Sequence, residues 1–125
     1  MKKILIVDDV TDFSSLVKRN IELVGDYEVT CARTGEEGIR FAREWEPAVI
    51  LMDIAMPQMD GLEALKKLKE NKKTRSIPVI MLTARSDDEA RLKASRLHND
   101  GYIVKPFKLS ELEEKMEGVL DRNED

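Results

Sequence analysis

The chain is poor in several residue types, and each shortage excludes a class of protein. Its 125 residues contain one cysteine, Cys31, so an internal disulfide is impossible and a reducing, cytoplasmic environment is favoured. The single histidine, His98, cannot build a histidine metal site. The longest apolar run is far short of the ~20 residues that a membrane helix needs. Lys2-Lys3 with Ile4–Val7 is too short an apolar segment for a signal peptide, because two aspartates follow it at once.

Composition and charge narrow the class further. Hydrophobic residues make up 42% of the chain and charged residues 37%, which is typical of a globular protein, and the length predicts one domain over residues 1–125. The net charge of −4 argues against non-specific nucleic-acid binding. A locally basic stretch at residues 66–75 lacks interleaved aromatic residues, so it is interpreted as a solvated face. We therefore expect neither direct nucleic-acid binding nor a membrane contact.

Four short hydrophobic runs end in a polar residue that is suited to chemistry. Ile4–Val7 ends in Asp8-Asp9, Ala48–Met52 in Asp53, Pro78–Leu82 in Thr83, and Tyr102–Val104 in Lys105. Such runs predict strands buried on both faces of a sheet. A further strand is predicted at Tyr27–Cys31.

Amphipathic stretches between these runs predict five helices. The first spans about Asp12–Val24, and the fifth turns Leu112, Met116, Val119 and Leu120 inward. The core face of the first helix is formed by Phe13, Leu16, Val17, Ile21 and Val24. Expected helix starts are the capping boxes Thr34 with Glu37, Ser86 with Glu89 and Ser110 with Glu113, and the cap Asp60. Alternating strands and helices predict an α/β protein with a parallel sheet.

Ligands of open parallel sheets bind outside the carboxyl ends of the strands. The polar residues that follow the four hydrophobic runs should therefore lie close together at one edge of the sheet. Asp8, Asp9 and Asp53 in one cleft repel one another, and a hard cation with oxygen ligands offsets this. Mg²⁺ suits best, because it uses few carboxylates, keeps waters and takes further ligands from a phosphate. One carboxylate can act as a nucleophile that forms an acyl phosphate, with Lys105 neutralising charge on the phosphoryl group and Thr83 binding one of its oxygens.

The order and the residues of these motifs resemble those of receiver domains of two-component response regulators, the chemotaxis-type family. The resemblance covers the whole chain and is carried by Ile6–Asp9, Leu51–Gly61, Met81–Ala84 and Tyr102–Phe107. It implies a flavodoxin-like, doubly wound, five-stranded parallel sheet of order 2-1-3-4-5 with five helices.

The resemblance also implies residue roles. Asp53 matches the phosphoacceptor, Thr83 the switch hydroxyl, Lys105 the phosphate-binding lysine and Tyr102 the aromatic switch. The matching Mg²⁺ ligands are Asp9 and Asp53 directly, Asp8 mostly through water, and the main-chain carbonyl of Ala55. The Lys105-Pro106 bond matches a cis peptide that directs Lys105 to the site.

The same resemblance implies a signalling switch rather than an enzyme acting on a separate substrate. A histidine kinase or phosphotransfer protein would supply the phosphoryl group, and the surface of the fourth helix, fifth strand and fifth helix would change for a downstream protein target. A phosphorylation-dependent homodimer is compatible with the resemblance, although glycine stands at position 101, where the family typically has an acidic residue. In His98-Asn99-Asp100-Gly101, histidine and asparagine tolerate the left-handed turn that this segment requires.

Three alternatives remain open at this point. The chain is compatible with a receiver that belongs to a longer regulator with a DNA-binding or enzymatic output. A Mg²⁺-dependent phosphatase that forms an aspartyl phosphate is disfavoured, since such enzymes of the haloacid-dehalogenase type place an Asp-x-Asp pattern after the first strand, whereas Asp8 and Asp9 are adjacent. A flavin carrier is disfavoured because the acidic Asp8-Asp9 loop would repel a flavin phosphate.

Overall fold

The computed structural model describes residues 1–84, 88–97 and 99–123. Within these ranges five strands and five helices alternate along the chain. The strands are β1 (Lys2–Val7), β2 (Tyr27–Ala32), β3 (Val49–Asp53), β4 (Val79–Ala84) and β5 (Gly101–Lys105). The helices are α1 (Thr11–Val24), α2 (Gly35–Trp45), α3 (Gly61–Glu70), α4 (Asp88–Arg96) and α5 (Leu109–Asn123).

The strands form one parallel sheet in the order β2-β1-β3-β4-β5, which confirms the expected flavodoxin-like α/β fold. The register pairs Asp53 of β3 with Leu82 of β4, and Ala84 of β4 with Lys105 of β5. Every residue of β3 is buried, as expected of a central strand covered on both faces. The carboxyl ends of β1, β3, β4 and β5 therefore lie along one edge.

Two hydrophobic clusters, one on each face of the sheet, hold the helices in place. One contains Leu65 and Leu68 of α3 beneath Leu5, Ile50 and Met81 of the strands. The other contains residues of α1 and α5, with all four predicted inward residues of α5 buried. The predicted face of α1 is only partly right: Val17 and Ile21 are buried, but Leu16 is 56% exposed and Val24 is 51% exposed.

The helix starts show which capping predictions hold. The Thr34 hydroxyl accepts a hydrogen bond from the Glu37 amide at 3.0 Å. The Glu37 carboxylate accepts one from the amide of Arg33 rather than from that of Thr34. Asp60 accepts the Glu63 amide at 2.9 Å, as predicted for the start of α3. The Ser110 prediction is wrong, because α5 begins at Leu109 and Ser110 lies within the helix. The prediction for Ser86 lies outside the described residues.

The turn before β5 differs from the expectation in one respect. Positive φ falls on Gly101, at 151°, and not on Asn99, so glycine at this position meets a conformational requirement. The expectation for His98 lies outside the described residues. The Lys105-Pro106 peptide bond is cis. Among the described residues, no helix is both long enough and apolar enough to span a membrane.

Candidate functional site

The site lies at the carboxyl edge of the sheet, where parallel strands end together. Asp8 follows β1 directly, Asp53 is the last residue of β3, Thr83 is the next to last of β4, and Lys105 is the last of β5. Asp8, Asp53 and Thr83 are at most 6% exposed. Polar side chains are rarely buried without a purpose or a partner, so this edge is the chemically distinctive part of the described chain.

Three carboxylates come together there. Ligand oxygens of Asp8, Asp9 and Asp53 all lie within 4.8 Å of one another. Asp8 is fully buried and its Oδ1 accepts the amide of Val10 at 2.9 Å, which fixes the orientation of the carboxylate. Asp9 is exposed and faces solvent at the mouth of the site. A set of hard oxygen donors with one solvent-facing member fits Mg²⁺, which keeps several of its waters.

The ammonium of Lys105 joins the two buried members of this group. Its Nζ lies 2.9 Å from Asp8 Oδ2 and 3.2 Å from Asp53 Oδ1. Burial opposes the charge of Lys105, but the hydrogen bond to Asp8 and the attraction of Asp53 outweigh it, so the pKa of Lys105 is raised. The lysine therefore stays protonated and holds a positive charge against Asp53.

Asp53 is the carboxylate whose ionisation is most strongly affected by its surroundings. Burial first, and then repulsion from Asp8, raise the pKa of Asp53 from 3.8 to about 6, although Lys105 acts in the opposite direction. Asp9 adds a smaller repulsion. At neutral pH the group is mostly ionised and hence nucleophilic, while in mild acid it is protonated.

The loop after β3 passes close over Asp53 because of a glycine. A Cβ atom on Gly61 would overlap the Asp53 carbonyl oxygen and would lie 2.8 Å from Ile54 Cα. The Gly61 amide donates to the Ile54 carbonyl at 2.8 Å, which closes the loop at its far end. Ala55 lies within this loop and is exposed, two residues beyond Asp53. Gly61 thus brings the start of α3 to the edge that carries Asp53.

The two predicted switch residues occupy different environments. Thr83 is 1% exposed, and its hydroxyl donates to the Ala84 carbonyl at 3.2 Å. Tyr102, which pairs in register with Met81, is 37% exposed on β5. The structure therefore brings Thr83 to the edge of Asp53 and leaves the tyrosine ring at the surface.

One neighbour of the site was not predicted. Lys105 Nζ lies over the ring of Phe13, 4.2 Å from its centroid. Sequence reasoning assigned Phe13 only to the core face of α1. Local periodicity carries no information on this contact, because it depends on how α1 and β5 pack across the sheet.

Comparisons with known proteins agree with this geometry. The model of the "Response regulator receiver domain" family matches residues 4–117. The chain is 35% identical over 98% of its length to the alkaline phosphatase synthesis transcriptional regulatory protein PhoP of Bacillus subtilis, of which it covers 50%. It is 33% identical over 99% of its length to the DNA-binding dual master transcriptional regulator RpaA of Synechocystis, of which it covers 51%. The chain thus spans about half the length of these relatives.

Solved structures of similar length share the fold. The CheY-like receiver domain protein of Methanospirillum hungatei has a TM-score of 0.91 and 34% identity, with 99% of this chain and 97% of that one covered. The chemotaxis protein CheY4 of Vibrio cholerae has a TM-score of 0.89 and 31% identity, with 96% and 99% covered. With its fold, its acidic edge and these matches, the chain belongs to the response regulator receiver domain family, the phosphoacceptor switches of two-component signalling.

Proposed function

We propose that Asp53 is the phosphoacceptor of this receiver domain. A carboxylate oxygen of Asp53 attacks the phosphorus of a phosphohistidine on a histidine kinase or phosphotransfer protein. The new O–P bond forms as the P–N bond breaks, and the imidazole leaves with the electron pair. The observation that carries the proposal is the buried Asp53 carboxylate, 3.2 Å from the Lys105 ammonium and clustered with Asp8 and Asp9.

Mg²⁺ would be held by Asp9 and Asp53, by Asp8 mostly through water, and by the Ala55 carbonyl. When bound, the ion neutralises charge that develops on the transferred phosphoryl oxygens. The support for this assignment is the mutual proximity of the three carboxylates and the exposed position of Asp9.

The residues of the chain itself have distinct tasks. Asp8 accepts a hydrogen bond from Lys105 and so keeps the positive charge of the lysine close to Asp53. A cationic group therefore already faces the incoming phosphoryl oxygens. The Thr83 hydroxyl, which donates to Ala84 here, is free to rotate and bind a phosphoryl oxygen. Movement of Thr83 makes room for the Tyr102 ring, which changes the surface of α4, β5 and α5.

Water ends the signal by attacking phosphorus, which breaks the O–P bond, releases inorganic phosphate and restores the Asp53 carboxylate. The domain catalyses only its own phosphorylation and dephosphorylation. It acts in the cytoplasm, where a downstream protein or an output domain of a longer chain binds the changed surface. Phosphorylation also promotes homodimer formation through the same surface.

Incubation with acetyl phosphate and MgCl₂, followed by intact-mass measurement, tests the acceptor. Wild type should gain the mass of one phosphoryl group and Asp53→Asn should gain none. Asp12→Asn, which removes an exposed carboxylate at the start of α1, is the matched control and should label normally. Normal labelling of Asp53→Asn would contradict the assignment.

A further inference from the structure

The Lys105 ammonium has a third neighbour besides its two carboxylates. The Phe13 ring centroid lies 4.2 Å from Nζ, within the ~6 Å over which a cation is attracted to an aromatic face. Phe13 is partly buried at the start of α1 and packs against the hydrophobic cluster that includes α1 and α5. Limited exposure strengthens the attraction, because solvent screens it less.

A second aromatic ring holds Phe13 in this orientation. The rings of Phe13 and Phe107 meet edge to face, with centroids 5.9 Å apart and planes at 86°. This is a favoured geometry for aromatic pairs. Phe107 follows β5 by two residues, so the segment that carries Lys105 also carries the ring that supports its aromatic neighbour.

The ammonium of Lys105 keeps one donor for a phosphoryl group. It has three N–H donors, and two of them make the hydrogen bonds to Asp8 and Asp53. The Phe13 ring attracts the positive charge without adding another anion to an acidic site. It therefore limits where Nζ can move while leaving the ammonium available to a phosphoryl oxygen on Asp53.

We infer that Phe13 is a positioning residue that holds Lys105 for phosphoryl transfer to Asp53, an inference that rests on the proposed function. An aliphatic side chain fills similar space but lacks the electron-rich face. Losing the ring's attraction should therefore slow phosphorylation of Asp53 by about threefold to tenfold.

Three variants separate the ring's attraction from its packing. Phe13→Leu removes the aromatic face and keeps an apolar side chain, whereas Phe13→Tyr keeps the face. Phe41→Leu is the matched control, since Phe41 is a partly buried aromatic residue that packs against the other hydrophobic cluster. Folding of each variant is checked by its unfolding midpoint.

Proton NMR of the unphosphorylated, magnesium-free chain reports the contact directly. A ring face shields protons above it, so the Lys105 ε-methylene signals should be shifted upfield in wild type and in Phe13→Tyr. They should return towards ordinary lysine values in Phe13→Leu and stay shifted in Phe41→Leu. Unchanged Lys105 signals in Phe13→Leu would overturn the inference.

Labelling rates with acetyl phosphate at saturating MgCl₂ report the consequence. Phe13→Leu should be labelled about threefold to tenfold more slowly than wild type, whereas Phe13→Tyr and Phe41→Leu should be labelled at close to the wild-type rate. Equal slowing in Phe13→Leu and Phe13→Tyr, or none in Phe13→Leu, would overturn the role of Phe13 while wild-type labelling leaves the proposed function intact. Failure of wild type itself to be labelled contradicts the proposed function instead.

Discussion

Lys105 Nζ donates to Asp8 Oδ2 at 2.9 Å, joining the carboxyl ends of β5 and β1, which are not neighbours in the sheet. Asp8 is fully buried and the Lys105 side chain is 26% exposed. Since β3 and β4 lie between these strands, the ion pair crosses over the end of β3, where Asp53 lies. The pair is thus a structural bridge as well as the source of positive charge at Asp53.

Removal of the bridging charge should destabilise the fold. Lys105→Met leaves the buried carboxylates of Asp8 and Asp53 without their cation, which should cost about 2–4 kcal/mol of unfolding free energy at pH 7.5 in EDTA. Lys93→Met is the control, because Lys93 and Glu89 form an exposed pair within α4 that contributes little. Urea unfolding measures both, and an equal small effect in the two variants would contradict the bridging role.

The raised pKa of Asp53 predicts a pH-dependent cost of folding. The folded state binds this proton up to about pH 6, whereas the unfolded group releases it near 3.8, so stability falls as pH rises between these values. Above pH 6 the ionised Asp53 lowers the free energy of unfolding by its full amount, at most about 3 kcal/mol. Well below pH 3.8 both states are protonated and the cost disappears.

Asp53→Asn removes this cost, so in EDTA it should be more stable than wild type at pH 7.5 and similar to it at pH 3. Urea unfolding at several pH values measures the difference. Glu28→Gln, a change at an exposed residue of β2, is the control and should show no comparable pH trend. A constant difference between Asp53→Asn and wild type at all pH values would refute the expected titration.

Magnesium should stabilise the chain through Asp9. At ten times its dissociation constant, an ion that binds only the folded state adds about 1.4 kcal/mol of stability. Asp9→Ala should lose most of the magnesium-induced rise in the thermal unfolding midpoint, whereas Asp12→Ala, three residues away and exposed, should keep it. Equal magnesium responses of the two variants would exclude Asp9 as a ligand.

Phosphorylation should draw the Thr83 hydroxyl away from the Ala84 carbonyl. A phosphoryl group brings roughly −1.5 to −2 charge and three strong acceptor oxygens, so it competes with one neutral hydrogen bond. The phosphate mimic beryllofluoride, added with MgCl₂, should shift amide signals of residues 83–84 and 99–107. Thr83→Ala should reduce the shifts near Tyr102, while Thr83→Ser, which keeps a hydroxyl, should retain them; identical shifts in both variants would rule out the hydroxyl switch.

Gly61→Ala should disrupt the site from the backbone side. The added methyl group would overlap the Asp53 carbonyl, so we expect a loss of stability of more than about 2 kcal/mol and weaker phosphorylation. Gly118→Ala is the contrasting control: it lies within α5, nothing lies within 4 Å of the added carbon, and alanine should stabilise the helix by about 0.5–1 kcal/mol. Chemical denaturation measures both, and a neutral Gly61→Ala would contradict the close approach.

Much of the site could be read from the chain, because its residues end buried strands. A run such as Ile4–Val7 is apolar on both faces, and this predicts a covered parallel strand without any knowledge of its neighbours. Once a parallel sheet is inferred, Asp8, Asp53, Thr83 and Lys105 must share an edge. The Asp60 cap was also predictable, since a cap is a contact between residues close in sequence.

Other features depended on how the elements pack. Leu16 has the spacing of a core residue yet is 56% exposed, because the width of the buried stripe on α1 is set by the helix's position on the sheet.

The sequence by itself therefore determined the strand ends, the fold class and the identity of the acidic edge, since these follow from local hydrophobic patterns and the geometry of parallel sheets. Tertiary structure alone decided that Asp8 is buried while Asp9 faces solvent, that Lys105 joins Asp8 to Asp53, and that the Phe13 ring lies under the ammonium. These relationships join residues far apart in the chain, and their distances depend on packing across the whole sheet, which no local pattern encodes.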